Sequence, residues 1–312
     1  PAPSIETILH GCLPYQYVDH THADSVVAIT DTLDGPARIR EVYGDLCVVI
    51  PYLTPGFDLA QFCAREFAKQ SSDRTVGMVL LNHGIFSFGD SARESYERMI
   101  DLVSRAEDYL RKHNAWEISL PADKPASAEP LAQAQLRRSI SSAAGGPMIL
   151  KTCPGERGLG FARHAQVARI SQQGPATPDH VIRTKRTPML GADVGRYVET
   201  YRRYFAEQAA RAKEPKTMLD PAPRVVLDPA FGLAVAGRTA KDARIVEDIY
   251  EHTIEVILRA EALGGFQALP PRDIFEIEYW DLEQAKLKKG GSPPLFAGEV
   301  AFITGAAAGI AS

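Results

Sequence analysis

The sequence predicts an α/β protein in which one arrangement of strands and helices occurs twice. Short apolar runs such as 46–53, 75–82 and 225–228 have the length and aliphatic content of buried strands. Amphipathic helices alternate with these runs. The order strand, glycine turn, strand and capped helix occurs over 79–110 and again over 225–257. We interpret the second occurrence as a degenerate internal repeat, and the alternative is two unrelated helices with similar caps.

Length and composition restrict the classes of function. The chain has 312 residues, enough for two domains, of which 45% are apolar and 24% charged. A net charge of -4 argues against binding to nucleic acid or membrane surfaces. Apolar runs are too short to cross a membrane, and the four cysteines are scattered without a CxxC pair, as in reduced proteins. We therefore expect a cytoplasmic protein, and a piece of something longer, because both ends interrupt structured segments.

The predicted elements of the first part follow from apolar spacing and from capping residues. Ser91 and Glu94 form a capping box, which starts the longest helix of this part. In chain order, the predicted elements are a helix at Ser4–His10, a strand at Leu46–Leu53, a helix at Phe57–Lys69, a strand at Thr75–Asn82 and the helix from Ser91.

Three histidines are candidates for metal ligands. His20 and His22 lie two residues apart in an extended segment, so their side chains face the same side. Neutral imidazoles suit Zn²⁺ and similar cations, although an isolated HxH is also compatible with a solvated polar turn. His83 follows a buried strand and precedes Gly84. A histidine there is more often structural, but as a third ligand it would complete a three-nitrogen site with an open position.

Other polar residues near these histidines have two interpretations each. Glu6 and His10 are four residues apart and share a helix face. His10 either orients Glu6 or a ligand, or is a packed helix residue. Asp19 is either an acceptor behind the ligands or a solvated turn residue. The remaining histidines without a partner at ligand spacing are expected to be structural or exposed; they are His113, His164, His180 and His252.

Composition divides the chain into four predicted parts. Residues 1–118 form a first domain that contains the candidate metal site. Residues 119–146 are rich in Pro, Ala and Ser with little periodicity, which predicts a linker or mobile segment. Residues 147–290 form a second region without metal ligands, in which Phe231 stands where the first has His83. Residues 291–312 contain an apolar run that leads into a glycine turn.

Several separated motifs together resemble the class II aldolase/adducin family. These are Glu6-xxx-His10, His20-x-His22 and Asn82-His83-Gly84. A closer resemblance is to the bifunctional proteins that join a rhamnulose-1-phosphate aldolase to a short-chain dehydrogenase. The segments that carry this closer resemblance are 3–7, 18–22, 55–58, 89–94, 177–185 and 237–244.

The family resemblance implies an α/β/α domain with a mostly antiparallel central sheet, followed by a second aldolase-like region. It implies a divalent metal, most often zinc, and a homo-oligomer, either a tetramer or a dimer. The activity implied is the reversible cleavage of a phosphorylated ketose, such as rhamnulose 1-phosphate, to dihydroxyacetone phosphate and an aldehyde. The residues implied are His20, His22 and His83 for the metal, Glu6 as catalytic acid or base, and Ser4 and Asn82 for the substrate. The family's phosphate-binding Gly-Asn loop normally precedes the Ser-x-Glu motif, and this sequence does not supply it.

The last residues resemble the opening of a short-chain dehydrogenase, TGxxxGIG. Thr304, Gly305 and Gly309 match this pattern, while Ala311 replaces the last glycine, which weakens the case for nucleotide binding. A dinucleotide domain needs several further βα units. We therefore expect NAD(P) only in a longer parent protein, where a dehydrogenase part would oxidise or reduce the released aldehyde.

Three alternatives to the aldolase interpretation remain open at this level. The same metal site could serve an epimerase or a decarboxylating lyase, which a phosphate requirement in a cleavage assay would distinguish. The main activity of the parent could be that of the short-chain oxidoreductase. The chain could also be a non-catalytic adducin-like module, which an absence of bound metal would favour.

Overall fold

Two four-stranded sheets form the centre of the protein. The computed structural model describes residues 6–121, 129–288 and 294–304. The first sheet has the order β1-β4-β3-β2, with strands β1 (Tyr17–Thr21), β2 (Cys47–Ile50), β3 (Gly77–Leu80) and β4 (Gly84–Gly89). The second has the order β5-β8-β7-β6, with strands β5 (Ile149–Cys153), β6 (Met189–Leu190), β7 (Val225–Asp228) and β8 (Gly232–Gly237). This arrangement confirms the predicted α/β fold class.

Helices precede, connect and follow the strands of each sheet. In the first region, residues 6–121, the helices are α1 (Thr7–Cys12), α2 (Asp24–Thr30), α3 (Gly35–Tyr43), α4 (Phe57–Gln70) and α5 (Ala92–Lys112). In the second region, residues 129–288, they are α6 (Pro130–Ala143), α7 (Glu156–Ala162), α8 (Val167–Ile170), α9 (Val181–Thr184), α10 (Val194–Ala209), α11 (Ala240–Ala262), α12 (Pro271–Glu278) and α13 (Asp281–Lys288). No helix among these described residues is long and apolar enough to cross a membrane.

Each face of the first sheet carries its own core. Val79 and Ile85 share one apolar cluster with residues of α3 and α5. Met78 and Phe86, the adjacent residues on the same strands, share another with residues of α1 and α4. Successive residues of a strand point to opposite faces, so β3 and β4 contribute to both cores. The result is the α/β/α layering that the family resemblance implies.

The two sheets pair their strands in the same pattern. The ladders β1–β4 and β3–β4 are antiparallel and β2–β3 is parallel. The ladders β5–β8 and β7–β8 are antiparallel and β6–β7 is parallel. After the last strand of each sheet, a capped helix begins: Ser91 accepts the N–H of Glu94, and Thr239 accepts the N–H of Asp242. The internal repeat and the mostly antiparallel sheet are both seen in the fold.

The second region is longer than the first between its third helix and its second strand. Helices α2 and α3 follow β1, and α7 and α8 follow β5 in the same way. Only residues 44–46 then separate α3 from β2, whereas residues 171–188 separate α8 from β6. We call residues 171–188 the insert. It contains a 3-10 turn at Pro178–His180 and helix α9.

The prediction of a linker or mobile segment at 119–146 is wrong for residues 130–143, while residues 122–128 lie outside the described residues. Residues 130–143 form helix α6, which precedes β5 as α1 precedes β1. Leu136 and Ile140 are buried in the core of the second region. The buried stripe of α6 has only these two large residues, so its helical periodicity is too weak to stand out from the surrounding Ala and Ser.

The apolar run near the end of the described chain is also different from its prediction. Residues 299–303 have no regular secondary structure, and Phe302 is 91% exposed. A strand needs sheet neighbours for its hydrogen bonds, and this segment has none among the described residues. Thr304 is exposed, while Gly305 and Gly309 lie outside the described residues. The predicted strand is therefore wrong for residues 299–303, and the start of a dinucleotide-binding domain at 291–312 stays a prediction.

The two regions share a packed boundary. Val27 of α2 belongs to the apolar core of the second region. An isolated β-bridge joins Thr32 to Phe266, and the N–H of Gln267 donates a hydrogen bond of 2.8 Å to the carbonyl of Asp31. This boundary brings elements of the second region close to the end of β1.

Candidate metal centre

Three histidines and one glutamate meet at one end of the first sheet. His20 lies on β1 and His22 follows it, and both face the same side of the strand. His83 lies in the short connection between β3 and β4, and Glu6 immediately precedes α1. One ligand atom from each of the four side chains lies within 4.8 Å of those of the other three.

Strand pairing produces this convergence. β1 runs antiparallel to β4 with His20 opposite Phe86, so the end of β1 lies beside the start of β4, where His83 enters. A Cβ atom at Gly84 would lie 2.5 Å from the carbonyl oxygen of Thr21 and 3.0 Å from Cε1 of His20. Only glycine at this position leaves room for the imidazole.

Asn82 shapes the turn that delivers His83. Its backbone has φ 57°, a left-handed conformation that asparagine tolerates better than most residues. Its side-chain N–H₂ donates a hydrogen bond of 2.9 Å to Oδ1 of Asp31, which is fully buried. This bond anchors the turn to the end of α2. A role for Asn82 in substrate binding stays a prediction.

Hydrogen bonding fixes the orientation of the His20 ring. Its Nδ1 donates to the carbonyl oxygen of Ile85 at 3.0 Å, which turns Nε2 toward the cluster. That Nε2 faces Nε2 of His22 at 3.1 Å. A histidine ligand is commonly oriented in this way, with one nitrogen held by the protein and the other presented to the metal.

Glu6 completes the cluster with a negative charge. Its Oε1 lies 3.1 Å from Nε2 of His83 and 3.4 Å from Nε2 of His20. Hydrogen bonds with His20 and His83 hold the pKa of the Glu6 carboxyl well below its usual range, so it is ionised. Burial, and then the charge of His83, lowers the pKa of His22 to about 3. His22 is therefore neutral near pH 7, the form in which imidazole binds metals.

The donor set and its spacing fit a divalent transition metal. Three imidazole nitrogens and a carboxylate oxygen are the ligand types of zinc and its neighbours. Around a tetrahedral zinc with bonds of about 2.0 Å, ligand atoms lie about 3.3 Å apart. The separations of 3.1 Å between His20 and His22 and 3.4 Å between His20 and Glu6 are close to that value.

The insert adds a carboxylate that the sequence analysis did not find. Oδ1 of Asp179 lies 3.8 Å from Nδ1 of His22, on the side of the ring away from His20. This oxygen is buried without a hydrogen-bond partner among the described residues. Among the described residues, the second region has no cluster of three or more His, Cys, Asp or Glu side chains that could hold a metal. It nevertheless supplies Asp179 to the candidate site of the first region. The signal was present in the motif 177–185, but nothing in its spacing points to His22.

The other predicted residues lie around the cluster or outside the described chain. The ring of His10 lies 6.5 Å from that of His20 and meets Phe86 edge-on at 5.4 Å, so it packs beside the cluster. Ser4 lies outside the described residues. The four histidines expected to be structural or exposed are absent from the cluster, namely His113, His164, His180 and His252.

Relatives of the chain provide independent information. Its sequence is 30% identical over 337 residues to the "Uncharacterized oxidoreductase YuxG" of Bacillus subtilis (strain 168), in a match that covers 100% of this chain and 48% of that protein. The chain thus spans about half the length of this relative. It is also 43% identical to the N-terminal class II aldolase domain of a conserved protein from Thermoplasma acidophilum, with a TM-score of 0.33, over 36% of this chain and 50% of the other.

Two family models match consecutive parts of the sequence. The model described as "Class II Aldolase and Adducin N-terminal domain" matches residues 1–110, which include the whole histidine cluster. The model described as "Aldolase class II, second domain" matches residues 127–287, which include the second sheet and the insert. Because this second match alone spans more than half of the 312 residues, the chain belongs to the class II aldolase family.

Proposed function

We propose that the chain is a divalent-metal-dependent aldolase that cleaves a phosphorylated ketose to dihydroxyacetone phosphate and an aldehyde. The observation that carries this proposal is the convergence of His20, His22, His83 and Glu6 within 4.8 Å. Family membership supports a lyase of the aldolase type. The finer substrate, a sugar like rhamnulose 1-phosphate, rests on the subfamily resemblance of motifs such as 177–185.

In this proposal His20, His22 and His83 hold the metal, and zinc is the first candidate. When bound, the metal supplies a Lewis acid that stabilises negative charge on the substrate oxygens. Asp179 faces the second ring nitrogen of His22 across 3.8 Å, so that its negative charge favours the ring orientation a ligand needs. The protein's contribution is to aim three imidazoles at one point.

Glu6 is the proposed acid and base. Its carboxylate lies at the cluster, with Oε1 3.1 Å from Nε2 of His83, where it can accept the proton of the hydroxyl on the carbon that becomes the aldehyde. The electron pair of the breaking C–C bond then moves toward the ketose carbonyl, and the aldehyde leaves. Glu6 returns the proton to the carbon that lost the aldehyde, which balances the reaction. In condensation the same steps run in reverse.

Substrate binding and assembly complete the proposal. Ser4 would contact the substrate phosphate and Asn82 the sugar, as the family resemblance implies. A homo-oligomer, a tetramer or a dimer, is proposed on the same basis. A cytoplasmic location is proposed from the composition and the scattered cysteines.

A cleavage assay with rhamnulose 1-phosphate and fuculose 1-phosphate tests the proposal. We expect release of dihydroxyacetone phosphate that a chelator abolishes and added zinc, cobalt or manganese restores. Glu6→Gln should lower kcat by about 10²–10⁴-fold while bound metal is retained. Glu97→Gln, whose side chain is 60% exposed on α5, is the control and should leave kcat unchanged. Cleavage that persists in chelator would contradict the metal-dependent mechanism.

A second candidate function concerns a longer protein that contains this chain. The Bacillus subtilis relative is called an oxidoreductase and is about twice as long. Thr304 begins the segment that resembles a short-chain dehydrogenase. We infer that such a longer protein would use NAD(P) on the aldehyde that the aldolase part releases. Oxidation of NADH or reduction of NAD that depends on added ketose phosphate would test this coupling.

A further inference from the structure

A basic cavity lies in the second region, at the end of β8 away from the Phe231 turn. Its volume is about 170 Å³. The insert supplies Arg183 and Lys185 to its wall, and the start of the segment 237–244 supplies Gly237 and Arg238. Parts of the motifs 177–185 and 237–244 therefore meet at this cavity. The residues that line it take no part in the candidate metal centre.

The charges that line the cavity favour an anion. Four basic residues face two acidic residues, which leaves a formal excess of two positive charges. Enclosed clefts of one charge sign concentrate ligands of the opposite sign. The charged lining residues are Arg183, Lys185, Arg224, Arg238, Asp220 and Asp242.

The carboxylates do not neutralise all of these cations. Arg224 donates two hydrogen bonds, of 2.6 and 2.8 Å, to Asp220 and so satisfies that carboxylate. Arg238 lies 3.8 Å from Asp220, and Arg183 lies 3.9 Å from Asp242. Both distances exceed a hydrogen bond. Nη2 of Arg238 also donates a hydrogen bond of 3.3 Å to the carbonyl of Ala144. The guanidinium groups of Arg183 and Arg238 each have further N–H donors for a ligand.

Lys185 adds a buried cation held in an unusual backbone conformation. Lys185 is only 4% exposed. Its backbone φ is 64°, in the left-handed region that lysine rarely adopts. Nζ donates a hydrogen bond of 3.3 Å to the hydroxyl of Tyr201 and lies 4.0 Å from Glu278. Strained backbone of this kind is concentrated at binding and catalytic sites, where surrounding packing maintains it.

We propose that this cavity binds a small phosphorylated metabolite by its phosphoryl group. A phosphoryl dianion matches the excess of two positive charges, and the planar guanidinium forks of Arg183 and Arg238 suit its oxygens. The volume of 170 Å³ is below the range of about 300–1,000 Å³ for larger organic ligands, which limits the metabolite to a few carbons. The second region is thus a ligand-binding unit in its own right. This site does not depend on the aldolase reaction.

Calorimetric titration of the full chain tests the site directly. The protein is first treated with chelator, so that a metal in the first region cannot bind phosphate. The probes are inorganic phosphate, glycerol 3-phosphate and malonate, a dicarboxylate of similar charge. We expect glycerol 3-phosphate to bind with one-to-one stoichiometry, more tightly than inorganic phosphate and malonate. No heat of binding for either phosphate probe, or tighter binding of malonate, would overturn the proposal.

Matched variants locate the binding. Arg238→Gln and Arg183→Gln should each weaken binding of glycerol 3-phosphate by about ten-fold or more, because each removes a charge-assisted hydrogen bond. Lys241→Gln is the control, since Lys241 is exposed on α11 and outside the cavity wall but carries the same charge. Equal weakening by Lys241→Gln would overturn the site. His83→Ala should leave this binding intact, which separates the outcome from that of the aldolase proposal.

Discussion

The two regions of the protein share one sheet topology and differ where the first has its candidate metal centre. His20 lies opposite the third residue of β4, and Thr152 lies opposite the third residue of β8. The connection before each last strand ends in His83 in one case and Phe231 in the other. The counterparts of the three histidines carry no imidazole; they are Thr152 for His20, Pro154 for His22 and Phe231 for His83.

A glycine begins both β4 and β8, but the groups that pack against it differ between the two regions. Beside Gly84 the space that a Cβ would need is filled by the carbonyl of Thr21 and the imidazole of His20. Beside Gly232 it is filled by the backbone of Leu159 on α7, 2.9 Å from the ideal Cβ position. The fold needs a glycine at both places, whereas the neighbour of that glycine differs. The same sheet is therefore compatible with the candidate metal cluster in one region and with apolar packing in the other.

The largest expected effect is a loss of metal affinity when the third histidine is replaced. His83→Ala should lower metal affinity by more than about 100-fold, because a direct ligand contributes more than the residues behind it. Phe231→Leu, at the equivalent position of the second region, should leave metal affinity unchanged. Metal content after dialysis against a competing chelator measures both. Full metal content in His83→Ala would show that the cluster does not bind metal as we propose.

The contribution of the insert to the metal centre has the next largest expected effect. Asp179→Asn keeps the shape of the side chain but removes the charge that faces Nδ1 of His22 at 3.8 Å. We expect metal affinity to fall by about 10–100-fold, as for carboxylates that orient histidine ligands. Competition with a chromogenic chelator gives the affinity without any activity assay. Asp248→Asn on α11 is a control variant, and an equal loss there would assign the effect to net charge alone.

The two strand-initial glycines sharpen the comparison further. Gly84→Ala places a methyl group 2.5 Å from a backbone oxygen, and Gly232→Ala adds one in a backbone with φ 87°. Each should lower the free energy of unfolding by about 1–3 kcal/mol. Only Gly84→Ala should also weaken metal binding. Chemical unfolding and chelator competition on both variants measure this, and a loss of metal affinity in Gly232→Ala would contradict the assignment.

The smallest expected effect concerns the ends of the equivalent helices α2 and α7. Asp31 is the C-cap residue that follows α2, and Arg163 is the C-cap residue that follows α7. Asp31 is fully buried, and Oδ2 has no hydrogen-bond partner among the described residues. Burial raises the pKa of this carboxyl well above its usual value.

The sign of the pH dependence follows from proton binding. As pH rises above the ordinary carboxyl range, near 4, the unfolded chain releases the proton of Asp31 and the folded chain retains it. The free energy of unfolding should therefore fall with rising pH until the raised pKa is reached. Asp31→Asn should flatten this slope in urea unfolding measured from pH 4 to 8. Asp34→Asn, an exposed neighbour, should not change the slope; a slope unchanged in Asp31→Asn would contradict the prediction.

Much of the fold could be predicted because its signals are local. The capping residues Ser91 and Thr239 and the glycine turns before them mark both copies of the repeat within short stretches of sequence. Strand β6 has only two residues, Met189–Leu190, and is recognisable only by its pairing with β7. Helix α6 is not recognised from the sequence for a similar reason, because its two buried residues are too few to give a clear helical period.

The site was predictable only in part because its members come from distant parts of the chain. Alternation along β1 places His20 and His22 on one side, which needs no knowledge of the fold. Bringing His83 to them requires the antiparallel pairing of β1 with β4, which local spacing does not specify. Asp179 reaches the site only because the two regions pack together. That packing is a tertiary property without a short-range signature.

The turn at Pro178–His180 and helix α9 form one continuous segment between two sites of opposite charge preference. Asp179 near its start faces His22, and Lys185 just after its end lines the basic cavity. A cation at the candidate metal centre and an anion in the basic cavity would each lie at one end of this short segment. If binding at one end changes the affinity at the other, thermodynamic linkage makes that change equal in both directions. An insertion into one copy of a duplicated fold can in this way place a single segment against two candidate sites.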